Sequence, residues 1–399
     1  MKRPELWGPL RARYETPAPR KMLALDGGGI RGVLTLQILK SIETQLGTKL
    51  CDYFDYIAGT STGAIIAAGL SIGKSVDELI DFYRETGTEM FQQTRYLARL
   101  NSLYQNGPLQ QKLQEVFEQR DLKPGNLKTL LLAVTQNVTT DSPWPISSNP
   151  EARYNLPERD DCNLCIPLWK IVRASTAAPI YFPPEVIRVH PTDESRSFVF
   201  VDGAVTPYNN PAWVLFRFAT DPAYRLEWPT GERNMLLVSV GTGAAAKQGA
   251  SADDPASNLL SAGLAVPGAL LFGALVDQDV NCRAIGRCTY GGLIDREVLD
   301  MVPREGPDEG KLAQRLARPR VPLEKDLGRA FLYTRYNVDL SREGLDALEF
   351  PNVTPETVRK LDKADRPHIE LLMKIGAAAA EHVDVKRHFG SFAPRSLSE

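Results

Sequence analysis

The decisive stretch of this chain is Gly59-Thr60-Ser61-Thr62-Gly63, which has the Gly-x-Ser-x-Gly pattern of a nucleophile elbow. In such an elbow a serine lies on a strained turn between a strand and a helix, and only glycines leave room around it. Residues 53–58 are apolar enough for a short buried strand, and residues 64–70 have the small and apolar side chains of a closely packed helix. The sequence therefore predicts a strand, a turn that carries Ser61, and a helix.

A second glycine-rich stretch, Asp26-Gly27-Gly28-Gly29-Ile30-Arg31-Gly32, lies upstream of the elbow. It follows a predicted strand at residues 21–25 and precedes a predicted helix at residues 33–46, in which apolar residues recur at helical spacing. Three consecutive glycines expose N–H groups at the helix N-terminus, where the helix dipole favours an anion. That anion is a phosphate or the oxyanion of an acyl-transfer intermediate, and the serine downstream favours the oxyanion. Arg31 either braces the loop or helps to bind an anionic head group.

Two nucleotide-binding patterns overlap these stretches. Residues 27–32 also match Gly-x-Gly-x-x-Gly, but a dinucleotide-binding unit needs an acidic residue after the next strand, where this chain has residues 59–63. Residues 69–75 are one residue short of a Walker A loop and end a helix instead of beginning one. Dinucleotide binding is therefore the less favoured alternative, and a Walker A site is not expected.

A serine nucleophile needs a base, and the chain has only four histidines. We expect the first on an exposed turn and the other three on the solvated face of a charged C-terminal helical region: His190, His368, His382 and His388. Asp202 is the better candidate, because it ends a β-rich run at residues 197–201 and precedes Gly203 and Ala204. Asp-Gly is also a common turn, so this string alone leaves a plain turn open.

Together, the three stretches resemble the patatin-like phospholipase family, whose members are acyl hydrolases with a Ser-Asp dyad. The glycine-rich loop, the Gly-x-Ser-x-Gly elbow and the Asp-Gly-Ala string occur in the order and spacing of that family. Residues 173–184, 209–212 and 237–243 are similar to further segments of it. The resemblance extends from about residue 21 to the helices near residue 385.

This resemblance implies that Ser61 is the nucleophile and that Asp202 is its general base. It also implies an oxyanion hole built from the N–H groups of Gly28 and Gly29, joined by that of Thr62. The remaining motif residues are expected to shape the site: Gly27, Arg31, Gly32, Gly59, Gly63, Gly203 and Ala204. A buried carboxylate suits the role of base, because desolvation raises its pKa. The alternative for Ser61 is a tight strand-to-helix crossing that happens to contain a serine.

Strand-like and helical segments alternate through about residue 245, which predicts an α/β fold with a mostly parallel central sheet and helices on both faces. The resemblance adds a three-layer α/β/α arrangement and a helical C-terminal region. We expect a short exposed N-terminal arm at residues 1–20 and one catalytic domain at residues 21–390. Residues 301–328 are expected to form a long loop or excursion within it, and residues 391–399 a tail.

Composition argues against several partners and cofactors. The formal net charge is -2, which gives no electrostatic case for nucleic acid. Five cysteines in a chain with no secretory signal pattern indicate free thiols in a reducing compartment, so we expect a cytoplasmic protein. Cys162 and Cys165 have the spacing of zinc ligands, but a second pair with matching spacing is missing. We therefore expect neither a metal nor a cofactor.

Residues 259–276 carry no charge and reach the lower limit of length for a spanning helix. Their central proline and the aspartates that follow favour a buried or lid-like helix, with an interfacial segment that touches lipid as the alternative.

The expected activity is hydrolysis of acyl esters in phospholipids or related glycerolipids, with transient contact at the membrane surface. Three alternatives stay open: a non-lipid esterase, a phospholipase effector that a small molecule or protein gates through residues 86–125 or 244–330, and a catalytically idle binding module.

Overall fold

The computed structural model describes residues 2–90, 106–179, 181–190, 192–245, 259–292 and 328–394. Its strands are β1 (Arg20–Leu25), β2 (Tyr56–Thr60), β3 (Leu130–Asn137), β4 (Ser142–Ser147), β5 (Glu185–Arg188), β6 (Ser197–Asp202), β7 (Met235–Val240), β8 (Arg287–Tyr290) and β9 (Leu332–Tyr336). They form one sheet in the order β5-β6-β3-β2-β1-β7-β9-β8, and β4 pairs with β3 outside this path.

The helices that the structure describes connect these strands and close the chain. They are α1 (Arg11–Glu15), α2 (Gly32–Leu46), α3 (Leu50–Tyr53), α4 (Thr62–Ser71), α5 (Val76–Met90), α6 (Asn106–Phe117), α7 (Leu168–Ser175), α8 (Ala212–Thr220), α9 (Leu259–Ile285), α10 (Arg342–Ala347), α11 (Pro355–Val358), α12 (Arg366–Ala380) and α13 (Val385–His388). The last four confirm the helical C-terminal region.

The sheet is mixed but mostly parallel, as the sequence predicts. Strands β3, β2, β1, β7, β9 and β8 run parallel to one another, whereas β4 and β6 run antiparallel to β3, and β5 runs antiparallel to β6. Every residue of β2, β7 and β9 is buried. Strands buried on both faces carry continuous apolar runs, which explains why these segments lack polar–apolar alternation.

Successive residues of β1 point to two different hydrophobic clusters. Leu23 and Leu25 belong to a cluster with α2, α4, α5 and α12, whereas Met22 and Ala24 belong to a cluster with α8 and the end of α9. Because side chains alternate across a strand, helices cover both faces of the sheet. The expected three-layer arrangement is confirmed.

The expectation of an exposed N-terminal arm is wrong. Residues Pro4–Leu10 form a 3-10 helix that continues into α1, and Trp7, Leu10 and Tyr14 are buried in the second cluster. The indole N–H of Trp7 donates to Glu151 Oε1 at 2.7 Å. These apolar residues recur three and four positions apart, so they form one face that covers the sheet.

Two of the four histidines also lie where the sequence analysis did not expect them. His368 is 2% exposed and His388 is 3% exposed, so neither lies on a solvated face. The His388 ring stacks on Tyr290, and its Nδ1 is 2.8 Å from the Tyr336 hydroxyl. His382 is exposed as expected, and His190 is half-buried. Packing against apolar neighbours therefore buries these two histidines, although the C-terminal region is rich in charged residues.

The structure corrects one further prediction, places the segment of a second in a helix, and leaves almost all of a third outside the described residues. The strand expected at residues 53–58 begins only at Tyr56, because Leu50–Tyr53 form α3. The uncharged residues 259–276 lie within α9. Among the described helices, none combines the length and the apolarity needed to cross a bilayer. The expected excursion at residues 301–328 lies, apart from its last residue, outside the described residues.

Candidate active site

Ser61 occupies the single position between β2 and α4. Its backbone has φ 54° and ψ -124°, a conformation that residues with a side chain rarely adopt. A Cβ on Gly59 would lie 2.1 Å from the carbonyl oxygen of Gly63, and a Cβ on Gly63 would lie 2.3 Å from that of Leu25. Both glycines are therefore required for this turn, which has the geometry of a nucleophile elbow.

Strand register brings Asp202 to the level of Ser61. Thr60 pairs with Val134, and the next residue of β3, Thr135, pairs with Asp202. Ser61 and Asp202 thus face each other across β3, and the Ser61 hydroxyl donates to Asp202 Oδ2 at 2.7 Å. Ser61 is 8% exposed and Asp202 is 2% exposed. Two residues far apart in sequence therefore form one buried hydrogen-bonded pair.

The carboxylate of Asp202 has the electrostatic properties of a base. Burial raises its pKa to about 6, although hydrogen bonds from Ser61 and from the Ala204 N–H and the charge of Arg173 oppose this shift. The Ala204 N–H donates to Oδ1 at 2.7 Å, which leaves Oδ2 facing the serine. At neutral pH this carboxylate is ionised, and its raised pKa makes it a better proton acceptor than an ordinary aspartate.

The end of α7 holds the backbone of both residues. The Ser61 N–H donates to Ser175 Oγ at 3.0 Å, and that hydroxyl donates to the Val134 carbonyl at 2.6 Å. The Asp202 N–H donates to the Ala177 carbonyl at 3.0 Å. The sequence analysis missed this role of Ser175. The only signal for it was the family-like segment at residues 173–184.

The glycine-rich loop passes directly beside the serine. A Cβ on Gly27 would lie 3.2 Å from Ser61 Cβ, a Cβ on Gly28 would lie 2.1 Å from Thr242 Oγ1, and one on Gly29 would lie 2.3 Å from the Leu361 carbonyl. Gly29 also has φ +57°. Close approach thus requires glycine at 28 and 29, and it leaves little room for a side chain at 27.

The glycine-rich loop and the elbow each lead into a helix, and the two helices begin next to each other beside Ser61. A Cβ on Gly32 would lie 2.4 Å from Thr62 Oγ1, so the first turns of α2 and α4 are in contact. Within the described part of the chain, no protein acceptor is recorded for the N–H groups of Gly28, Gly29 and Thr62. Thr62 begins α4, whereas Gly28 caps and Gly29 begins the single 3-10 turn Gly29–Arg31 that leads into α2, and N–H groups at such starts have no partner within the helix. Such donors suit an anion.

A buried ion pair anchors the start of the loop. Arg335 of β9 donates to both carboxylate oxygens of Asp26, at 2.9 and 2.5 Å, and to Ser239 Oγ at 2.7 Å. Burial raises the pKa of Asp26, and the Arg335 charge opposes that shift. The Ser239 hydroxyl in turn donates to Asn210 Oδ1 at 3.2 Å. The sequence analysis missed Arg335, whose only signal was a single arginine within an apolar strand.

Arg31 lies half-buried in the same loop. Burial, together with the charge of nearby Arg359, lowers its pKa to about 10, so the guanidinium stays positive at neutral pH. Its Nε atom has no hydrogen-bond partner among the described residues. A role in bracing the loop or in binding an anionic head group stays a prediction.

The described hydrogen bonds of the Asp202 carboxylate involve Ser61 and Ala204 and no histidine. All five cysteines are free thiols. In the described ranges, no group of three or more histidine, cysteine, aspartate or glutamate side chains is placed to hold a metal ion.

Comparison with known proteins matches residues 23–216 to the family model described as patatin-like phospholipase. Patatin-17 of Solanum cardiophyllum is 31% identical over 242 residues, which span 56% of this chain and 60% of that protein. Patatin-2-Kuras 1 of Solanum tuberosum is 30% identical over 242 residues, or 56% of this chain and 62% of that protein. The chain thus matches less than two thirds of the length of these relatives.

Among solved structures, VipD from Legionella pneumophila matches with a TM-score of 0.33 and 13% identity, over 90% of this chain and 67% of that one. This similarity is too low to support an argument. The sequence relatives and the family model agree with each other and with the motifs at Gly27–Gly32 and Ser61. The resemblance is thereby confirmed: residues 23–216 of this chain match the patatin-like phospholipase family model.

Proposed function

We propose that this chain is a lipid acyl hydrolase that cleaves fatty acyl esters of phospholipids or related glycerolipids. The observation that carries the proposal is the 2.7 Å hydrogen bond from the Ser61 hydroxyl to the buried Asp202 carboxylate. A serine on an elbow beside a base and beside free N–H donors is an arrangement suited to acyl transfer.

In the first step, Asp202 Oδ2 accepts the Ser61 proton while Oγ attacks the acyl carbonyl carbon. The carbonyl oxygen becomes an oxyanion, and the N–H groups of Gly28, Gly29 and Thr62 are its proposed donors. The intermediate then expels the lysolipid alkoxide, which takes the proton from Asp202. The product of this step is an acyl group on Ser61.

In the second step, a water molecule attacks the acyl carbon and gives its proton to Asp202. Ser61 Oγ leaves, recovers that proton, and the free fatty acid departs. One carboxylate therefore transfers the proton in both steps, and the protons balance without a histidine.

Two exposed apolar side chains support contact with a lipid surface. Val205, three residues after Asp202, is 53% exposed, and Leu270 of α9 is 69% exposed. Helix α9 contacts the turn Gly203–Val205 that follows the proposed base. An exposed valine beside the proposed base, and an exposed leucine on the helix that contacts this turn, suit an enzyme whose substrate lies in a membrane.

The test compares two substrates: vesicles of phosphatidylcholine and phosphatidylglycerol, and a water-soluble p-nitrophenyl butyrate. We expect fatty acid release from vesicles, measured by mass spectrometry, and loss of both activities in Ser61→Ala with an unchanged circular dichroism spectrum. A fluorophosphonate should label wild type at Ser61. Activity on the soluble ester alone would favour a non-lipid esterase, and no activity on either would favour a binding module.

A matched pair of variants tests the lipid surface separately. Leu270→Glu should lower activity on vesicles and leave activity on p-nitrophenyl butyrate unchanged. Val186→Glu is the control, because Val186 on β5 is 53% exposed and lies on a different element. Equal losses in both variants would contradict a docking role for α9.

A further inference from the structure

Cys162 and Cys165 lie on one tight turn immediately before α7. The Cys165 N–H donates to the Cys162 carbonyl at 3.1 Å, and the Ile166 N–H donates to the Asn163 carbonyl at 3.1 Å. A turn closed in this way keeps the first and fourth Cα atoms within about 7 Å of each other. Disulfides typically join Cα atoms about 4.4–6.8 Å apart. The backbone is therefore already in the range that a disulfide requires.

The two side chains differ in access. Cys165 is exposed and Cys162 is buried. Burial is the largest cause of the raised pKa of Cys162, and the Cys165 side chain adds to it. The Cys162 thiol also donates to the Asn155 carbonyl at 3.3 Å, which fixes its position.

Two ion pairs lie near this turn. Lys123, whose pKa is raised first by its hydrogen bond to Asp121, also interacts electrostatically with both cysteine sulfurs. Arg159, which pairs with Asp161, interacts in the same way with Cys162. Cys165 is the exposed thiol of the pair, so it is the one that an oxidant in solution can reach.

We propose that Cys162 and Cys165 are a reversible dithiol–disulfide site that hydrogen peroxide oxidises. The Cys165 thiolate attacks one peroxide oxygen, so an S–O bond forms, the O–O bond breaks and hydroxide leaves. The Cys162 sulfur then attacks the resulting sulfenic acid, so the S–S bond forms, the S–O bond breaks and water leaves with the Cys162 proton. The two thiols lose two electrons and two protons in total, and the peroxide becomes two water molecules. A small dithiol such as dithiothreitol reverses the reaction by exchange.

This site does not depend on the proposed hydrolase activity, because it lies at the end of α7 opposite to Ser175. The Leu168 N–H donates to the Arg120 carbonyl at 2.8 Å and holds the start of α7 independently of the thiols. The zinc alternative needs more ligands than this pair supplies, and the described residues offer no group of three or more around it.

The experiment uses the full chain, reduced, exposed to hydrogen peroxide, quenched with catalase, denatured and alkylated with N-ethylmaleimide. We expect peptide mapping by mass spectrometry to find residues 162 and 165 joined in one disulfide, and Cys51 and Cys282, both buried, alkylated. Dithiothreitol should restore alkylation at both positions of the pair. In Cys162→Ser, the sulfenic acid at Cys165 has no partner thiol, so dimedone should trap it.

The chain contains a comparison pair, Cys282 and Cys288, which is wider in sequence and less accessible. A disulfide that forms there while Cys162 and Cys165 remain alkylated would overturn the proposal. So would a wild-type protein whose Cys165 stops at sulfenic acid or stays a thiol. Both of these outcomes are measured on the wild-type protein, so they can be interpreted even if a serine variant does not fold.

Discussion

Replacement of Asp202 by asparagine should make the protein both inactive and more stable. Burial raises the pKa of Asp202 from 3.8 to about 6. Between these pH values the folded chain keeps a proton that the unfolded chain has released, so the free energy of unfolding falls as pH rises. A shift of this size corresponds to about 3 kcal/mol at neutral pH.

Asparagine carries no charge, so it removes the destabilisation caused by the buried carboxylate and can keep the same hydrogen-bonded arrangement. Its Oδ1 can accept from the Ala204 N–H, and its amide can donate to Ser61 Oγ, in place of the two hydrogen bonds that the carboxylate accepts. We therefore expect Asp202→Asn to exceed wild type in stability by up to about 3 kcal/mol at pH 7.5 and by much less at pH 4. Turnover should fall by several orders of magnitude, because the amide cannot accept the serine proton.

Urea unfolding followed by tryptophan fluorescence, measured at several pH values, gives this difference. Asp141→Asn is the control, since it makes the same chemical change at an exposed turn residue. In parallel, wild-type kcat/KM should rise through about pH 6 as Asp202 loses its proton, with only about a tenth of the maximum left at pH 5. A stability difference that does not change with pH, or a rate that stays flat down to pH 4.5, would refute the reasoning.

Three further predictions concern the surroundings of the dyad. Gly29→Ala should lower kcat about 100-fold or more through displacement of an oxyanion donor; Gly47→Ala, also at positive φ but with nothing within 4 Å of its Cβ, should leave kcat unchanged, and similar kinetics in both would contradict this. Asp26→Ala leaves Arg335 buried and unpaired, and urea unfolding should show a loss of about 3–5 kcal/mol; a negligible loss would show that the pair is not stabilising. Glutamine replacements, made one at a time, should keep activity within a few fold in an ester hydrolysis assay at His190, His368, His382 and His388. One such variant as inactive as Asp202→Asn would indicate a Ser-His-Asp site instead.

The local elements could be predicted from the sequence because their determinants are local. The glycines at 59 and 63 imply a tight strand-to-helix turn, and apolar runs such as residues 235–240 imply strands buried on both faces. The structure agrees at both places.

Long-range contacts were not predictable in the same way. Asp26 and Arg335 are 309 positions apart, and no local pattern pairs them. The burial of His368 was missed because the region was judged by its charge. The neighbouring Ile369, Leu372 and Ile375 recur at three-residue spacing, which marks a buried stripe that His368 adjoins.

The strand order limits where this chain can be truncated. The residues matched to the family end at 216, yet the partner on one side of β1 is β7, which begins at Met235, and β9 follows it. A fragment of residues 23–216 would therefore end its sheet at β1, with an unpaired row of backbone groups between two apolar faces. Such an edge recruits strands from other copies. The segment that matches the family is thus not a separable folding unit. We expect a protein truncated to residues 23–216 to aggregate.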